Sequence, residues 1–99
     1  MQSINTQQFK EISQDNQKKI IIFSAQWCSP CRMFKPVLEK ISNELEIPFY
    51  AINIDEEADL AQELNIRSVP TTFLYNSEVS EPTSILGMKS ESEVKEILA

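Results

Sequence analysis

A chain of 99 residues, 41% of them hydrophobic, has room for one domain, residues 1–99, with a modest core, and no room for two of ordinary size. Nine basic against fifteen acidic side chains leave a formal charge of −6, which repels phosphate backbones and anionic lipid surfaces, so neither nucleic acid nor membrane is an expected partner. Histidine is absent, which removes imidazole triads, mixed Cys/His zinc sites within one chain and histidine pH switches.

The opening MQSINTQQFKEISQ has no basic start followed by an apolar segment, and the longest apolar run, residues 20–23, is far too short for a membrane span. A soluble, cytosolic chain is expected. Thr6 can cap a first helix reaching about residue 15, with Phe9 and Ile12 on one face. Lys18 and Lys19 lead into a β-rich run, 20–25, whose unbroken apolar start suits a central strand covered on both faces. A long helix is predicted from the cysteines to about residue 45. It carries Met33, Phe34, Val37, Leu38, Ile41 and Leu45 at helical spacing, with Pro36 as an internal kink.

IPFYAINID, 47–55, reads as a second strand; EEADLAQEL, 56–64, as a helix with acidic residues at its positive end; and TTFLYN, 71–76, as a third strand. After SEVSEPT a short strand is expected near 84–86, with Pro82 placed where a sheet edge tolerates its missing N–H. SESEVKEILA closes the chain as a helix whose Ser90 and Glu93 are spaced as a capping box. Gly87 is the one glycine, so turns rely on Asn, Asp, Ser and Pro. Strands alternating with helices before a terminal hairpin predict an α/β architecture. The sheet is mixed, with helices on both faces and right-handed crossovers in its parallel part.

The chemistry concentrates in WCSPC, residues 27–31. A bridge between Cys28 and Cys31 closes too small a loop to stabilise the fold by chain entropy. At the first turn of a helix, however, Cys28 meets unpaired N–H groups and a positive dipole end that favour thiolate. Cys31, one turn on, can attack a mixed disulfide on Cys28, so the pair forms a two-electron switch. Pro30 suits the first helical turn and stiffens the backbone between the sulfurs.

WCSPC after a buried strand, Pro36 in the following helix, NID at 53–55, RSVPT at 67–71 and the late Gly87 together resemble the thioredoxin family, from about residue 4 onward. The resemblance implies a thioredoxin fold, with four to five strands in a mixed sheet and about four helices. It also implies a thiol–disulfide oxidoreductase acting as a protein-disulfide reductase without a cofactor. Cys28 would be the attacking cysteine and Cys31 the resolving one. Val69–Pro70 would carry a cis peptide bond, with the backbone of Val69 offered to an extended substrate. Trp27, Ser29, Pro30, Val69, Pro70 and Gly87 would form the docking surface. The implied partners are disulfide-containing proteins and a thioredoxin reductase or other dithiol donor, met by a monomer.

Three departures from the family pattern stand out. The buried Asp and the neighbouring-strand Lys that the family commonly keeps correspond to Ile22 and Ala51. Cys31 then faces apolar surroundings that disfavour its thiolate, and resolution is expected to be slow near neutral pH. Ser29 stands for the usual glycine between the cysteines and Ser24 for a common aromatic, both on or near the recognition surface; the Ser29 hydroxyl has a sulfur or a nearby N–H as expected partners, or none. The hairpin 76–83 is about two residues longer than usual.

Asp55, Glu56 and Glu57 read as a solvated helix start, with a replacement base as the sharper alternative, and Arg32 as a thiolate-favouring cation or a surface charge. Two other functions compete with catalysis. One is a redox-sensing interaction protein without efficient turnover. The other is a dimeric module holding zinc or an iron–sulfur cluster on CxxC, which one chain with two cysteines cannot complete alone.

Overall fold

The computed structural model describes residues 1–77 and 81–99. The expected extension of the hairpin 76–83 falls partly on 78–80, outside the described residues. Among the described residues nine elements follow one another: β1 Gln2–Ser3, α1 Thr6–Ile12, β2 Lys19–Ser24, α2 Ser29–Leu45, β3 Phe49–Asn53, α3 Ala58–Glu63, β4 Thr71–Tyr75, β5 Thr83–Leu86 and α4 Glu91–Leu98. The five strands form one sheet in the order β1-β3-β2-β4-β5. β1 and β2 run parallel to β3, β4 runs antiparallel to β2, and β5 runs antiparallel to β4.

This is the mixed sheet the alternation of elements predicts. β1 is the addition: two residues, both exposed, carry no strand pattern, and pairing with β3 through Gln2↔Tyr50 and Ser3↔Ala51 makes them a strand.

Three of the four helix starts, all but that of α3, carry a side-chain cap. Helix α1 is capped by Asn5 rather than Thr6. The Asn5 side chain accepts from Gln8 N–H and the Gln8 side chain accepts from Asn5 N–H, a complete capping box. At α4 only half of the expected box forms: Ser90 Oγ accepts from Glu93 N–H at 3.2 Å, while the Glu93 carboxylate takes the Ser90 hydroxyl at 2.9 Å. Helix α2 ends on Glu46 in the left-handed region at φ 56°, which the chain manages without glycine.

Alternation along the strands splits the core into two layers. One face gathers Ile20, Ile22, Ala51, Leu74 and Ile85 under Phe34, Leu38 and Ile41 of α2 and Val94 and Leu98 of α4. Burial of such side chains stabilises by roughly 1.5–3 kcal/mol each. The other face packs Ile21, Phe23, Ile52 and Tyr75 with Phe9 of α1 and Leu60 of α3. Met33 and Leu45, expected in the α2 core stripe, are exposed at 63% and 40%. The apolar stripe is narrower than the spacing suggests, because the sheet meets only the Phe34–Leu38–Ile41 line of the helix.

Lys19 is not a surface entry to β2 but is 1% exposed. Its ammonium sits 2.7 Å from Asp15 Oδ1, donates to the carbonyl of Gln17 at 2.9 Å, and lies 4.6 Å from the ring centre of Tyr75. The Lys19 bond, then the Gln17 N–H, hold the Asp15 carboxyl below its ordinary value, while burial pushes the Tyr75 phenol up to about 12. Because the Asp15 pKa is depressed, its contribution to stability is present above the ordinary carboxylate range and lost as pH falls through its folded value.

Thr72 is fully buried on the α2 face, opposite Ile22 on β2 and Ile85 on β5, and its Oγ1 has no hydrogen-bond partner among the described residues. A desolvated hydroxyl without a partner is a cost that an isosteric methyl does not carry. Thr72→Val is therefore expected to stabilise the fold by about 1 kcal/mol, seen as a higher urea midpoint at unchanged slope. An unchanged or lower midpoint would show that the hydroxyl is satisfied in solution.

Candidate active site

The register of the sheet brings two distant stretches together. Because β4 runs antiparallel to β2 with Phe23 opposite Thr71, the residues just before β4 lie beside the end of β2, where the chain turns into WCSPC. Cys28, Cys31 and Ala25 form a small apolar cluster with Ile54 and Val69 packed against it. The Val69–Pro70 peptide bond is cis, as the RSVPT motif implies. Gly87, with φ +71°, donates its N–H to the Pro70 carbonyl at 2.8 Å and ties the end of β5 to this loop.

Cys28 and Cys31 are joined as a disulfide with their Cα atoms 5.3 Å apart. Cys28 is the N-cap of α2, and its sulfur accepts the Cys31 N–H at 3.2 Å. That N–H and the positive end of a seventeen-residue helix favour negative charge on this sulfur. Pro30 occupies the first turn, where a missing N–H leaves nothing unpaired. The two sulfurs differ in access: Cys28 is 4% exposed and reaches the surface, while Cys31 is 0% exposed.

Around the pair, Trp27 is 66% exposed, Ser29 and Pro30 are exposed, Val69 and Gly87 are half-buried and Pro70 is buried. Neither the N–H nor the carbonyl of Val69 makes a hydrogen bond among the described residues. Leu86 at 66% and Met88 at 43% extend the apolar rim on either side of Gly87. The sequence signal for them, two large apolar residues flanking the lone glycine, was available but carries no weight until β5 is placed.

Several polar expectations resolve differently. Asp55 is exposed, as expected, but lies in the turn before α3, and its Oδ2 accepts the indole N–H of Trp27 at 2.9 Å. Glu57 takes both the N–H and hydroxyl of Thr6 at 2.8 Å, joining α1 to α3. Ser29 Oγ bonds neither a sulfur nor an N–H of the backbone but accepts from Arg32 Nη2 at 3.1 Å, while Arg32 Nη1 donates to the carbonyl of Gln26. Ser24 is 3% exposed and so lies behind the recognition surface rather than on it.

The Asp55 bond sets the attitude of an otherwise free indole, and this gives a prediction. Asp55→Ala is expected to raise KM for a protein disulfide severalfold, the loss of about 1 kcal/mol, with little change in kcat, and to speed the fluorescence depolarisation of the single tryptophan. An unaltered KM would mean that the indole is held by packing alone.

A disulfide at a helix N-terminus, one sulfur accessible and one buried, with an unpaired backbone edge alongside, defines a protein of thiol–disulfide exchange. Residues 1–99 match the Thioredoxin family model, and the chain belongs to the thioredoxin family. It is 38% identical over 73 residues to thioredoxin from Malassezia sympodialis, which covers 71% of this chain and 70% of that one. It is 32% identical over 90 residues to thioredoxin H2 of Arabidopsis thaliana, covering 90% of this chain and 67% of that one. The fold superposes on chloroplastic thioredoxin z with a TM-score of 0.89 at 24% identity, covering 99% of this chain and 90% of that one. The sheet of five strands with four helices is a thioredoxin fold, and the chain is a thiol–disulfide oxidoreductase. Among the described residues no helix is long and apolar enough to cross a membrane.

Proposed function

We propose that this chain, as one domain over residues 1–99, reduces disulfides of cytosolic proteins through Cys28 as nucleophile and Cys31 as resolving thiol. The observation that carries the reading is the bonded Cys28–Cys31 pair at the start of α2, with Cys31 N–H on the Cys28 sulfur. In the reduced protein the Cys28 thiolate attacks a substrate disulfide, and one substrate sulfur departs as thiolate. Cys31 then attacks the Cys28 sulfur, the second substrate sulfur leaves, and the Cys28–Cys31 bond forms. Two electrons have passed to the substrate, and a thioredoxin reductase or another dithiol donor returns them.

Substrate docks on Trp27, Ser29, Pro30, Val69, Pro70 and Gly87, with an extended segment pairing to the free N–H and carbonyl of Val69 as an added strand. The working form is a monomer, and the net charge of −6 supports partners other than nucleic acid or anionic membrane. Expression of Cys31→Ser in cells tests the compartment and the substrates together. The expected result is a set of cytosolic proteins held to Cys28 by bonds that dithiothreitol releases, absent when Cys28 is also replaced. Retrieval of none, with the variant folded, would defeat the reading.

A further inference from the structure

On the face of the sheet covered by α2, a pocket of about 300 Å³ is lined among others by Ser24, Ala51, Asn53, Glu56 and Lys35, and by Ala25, which packs with Cys28 and Cys31. Ala51 is the register partner of Ile22, and Asn53 that of Ser24, so the pocket reaches the strand position next to the one where the family's acid would stand. Small side chains at Ser24 and Ala51 leave this space unfilled. Among the polar groups on it without a hydrogen-bond or ion-pair partner in the described residues are the hydroxyl of Ser24, in a residue 3% exposed, the ammonium of Lys35, a half-buried residue, and the carboxylate of Glu56. Lys35 follows Cys31 by one turn of α2, a spacing that puts the two side chains on one helix face with Cβ atoms about 5–6 Å apart.

We propose that Lys35 is the positioning residue for Cys31: its charge, held in the pocket, stabilises the Cys31 thiolate that attacks the mixed disulfide. This rests on Cys31 being the resolving thiol. Here the acid's position holds Ile22, and the one carboxylate lining the pocket is that of Glu56, an exposed residue in the turn before α3. A nearby cation achieves the same end by favouring the charged form of the sulfur. The Cys31 proton goes to solvent water. The thiolate forms the S–S bond to Cys28, the Cys28–substrate S–S bond breaks, and the departing substrate sulfur takes a proton from water. Charge and electrons balance without an internal base.

The other charges near Cys31 are accounted for. Arg32 is bound to Gln26 and Ser29, Asp55 to Trp27 and Glu57 to Thr6, while Glu56 shares the pocket and opposes Lys35. Strands β2 and β4 present Ile22 and Thr72, which carry no charge.

The test titrates the Cys31 thiol by its thiolate absorbance in the Cys28→Ser protein, and follows the pH profile of release from a trapped Cys28 mixed disulfide in the otherwise unaltered protein. Lys35→Gln is expected to raise the Cys31 pKa by about one unit and slow release about tenfold below it. Lys35→Arg is expected to restore both, and Glu56→Gln to shift them the opposite way. An unmoved titration and profile in Lys35→Gln would overturn the proposal while leaving the resolving role of Cys31 intact. Undiminished turnover by Cys31→Ser would overturn both.

Discussion

Cys28→Ser is expected to reduce dithiothreitol-driven reduction of a model protein disulfide to the uncatalysed background. A serine hydroxyl at the same N-cap meets the same Cys31 N–H, but remains protonated and forms no disulfide, so the helix environment has nothing to activate. Cys31→Ser is expected to give a different defect. The first exchange proceeds, a mixed disulfide on Cys28 accumulates, and steady-state turnover falls to the rate at which external thiol releases it. The two variants therefore separate by stoichiometry: one substrate equivalent bound covalently in Cys31→Ser, none in Cys28→Ser. A normal rate in Cys28→Ser would exclude it as the nucleophile. The result would also separate catalysis from a metal-holding role, in which both sulfurs would be equivalent ligands and either substitution would do the same thing.

The order of elements was legible because the strong signals are local. An unbroken apolar run, 20–23, directly before WCSPC marks a central strand feeding a helix, and β2 is indeed buried along its whole length. What escaped was non-local. Gln2 and Ser3 become a strand only because β3 presents an edge to them. Lys19 is buried because Asp15, the Gln17 carbonyl and the Tyr75 ring arrive from both sides, and no periodicity announces such a cage. Asp55 and Glu57 belong to one acidic run, yet one orients Trp27 and the other fastens Thr6. In the site, the motif located the cysteines and the cis bond, while the pocket that reaches Ala25 beside them depends on the register Ile22↔Ala51 and Ser24↔Asn53 together with Lys35 of α2.

That register frames the second large effect, Ile22→Asp. Ile22 is 0% exposed between Ala51 and Thr72, so the introduced carboxyl would lose its hydration without a cation on the neighbouring strand. Desolvation raises its folded pKa above the unfolded value of about 3.9. A raised folded pKa means that the variant has its full stability below the unfolded value and loses it as pH climbs toward the folded one. The denaturant midpoint is expected to fall steadily from about pH 4 upward, with a deficit of about 3–5 kcal/mol at neutral pH. The orphaned Thr72 hydroxyl is the one donor the strands place directly opposite. Thr72→Val, stabilising by itself, should therefore become destabilising in the Ile22→Asp background, a reversal of sign that a double-mutant cycle reads as coupling between neighbours. Kinetically the same carboxyl supplies the missing base. Release from the trapped mixed disulfide should accelerate near neutral pH, and its profile should acquire the pKa of the introduced group. The added negative charge also opposes Lys35 in favouring the Cys31 thiolate, so the gain from a base is offset by a weaker field on the sulfur. An unchanged release rate would mean that proton loss from Cys31 does not limit resolution in this chain, and that Ile22 costs the enzyme nothing.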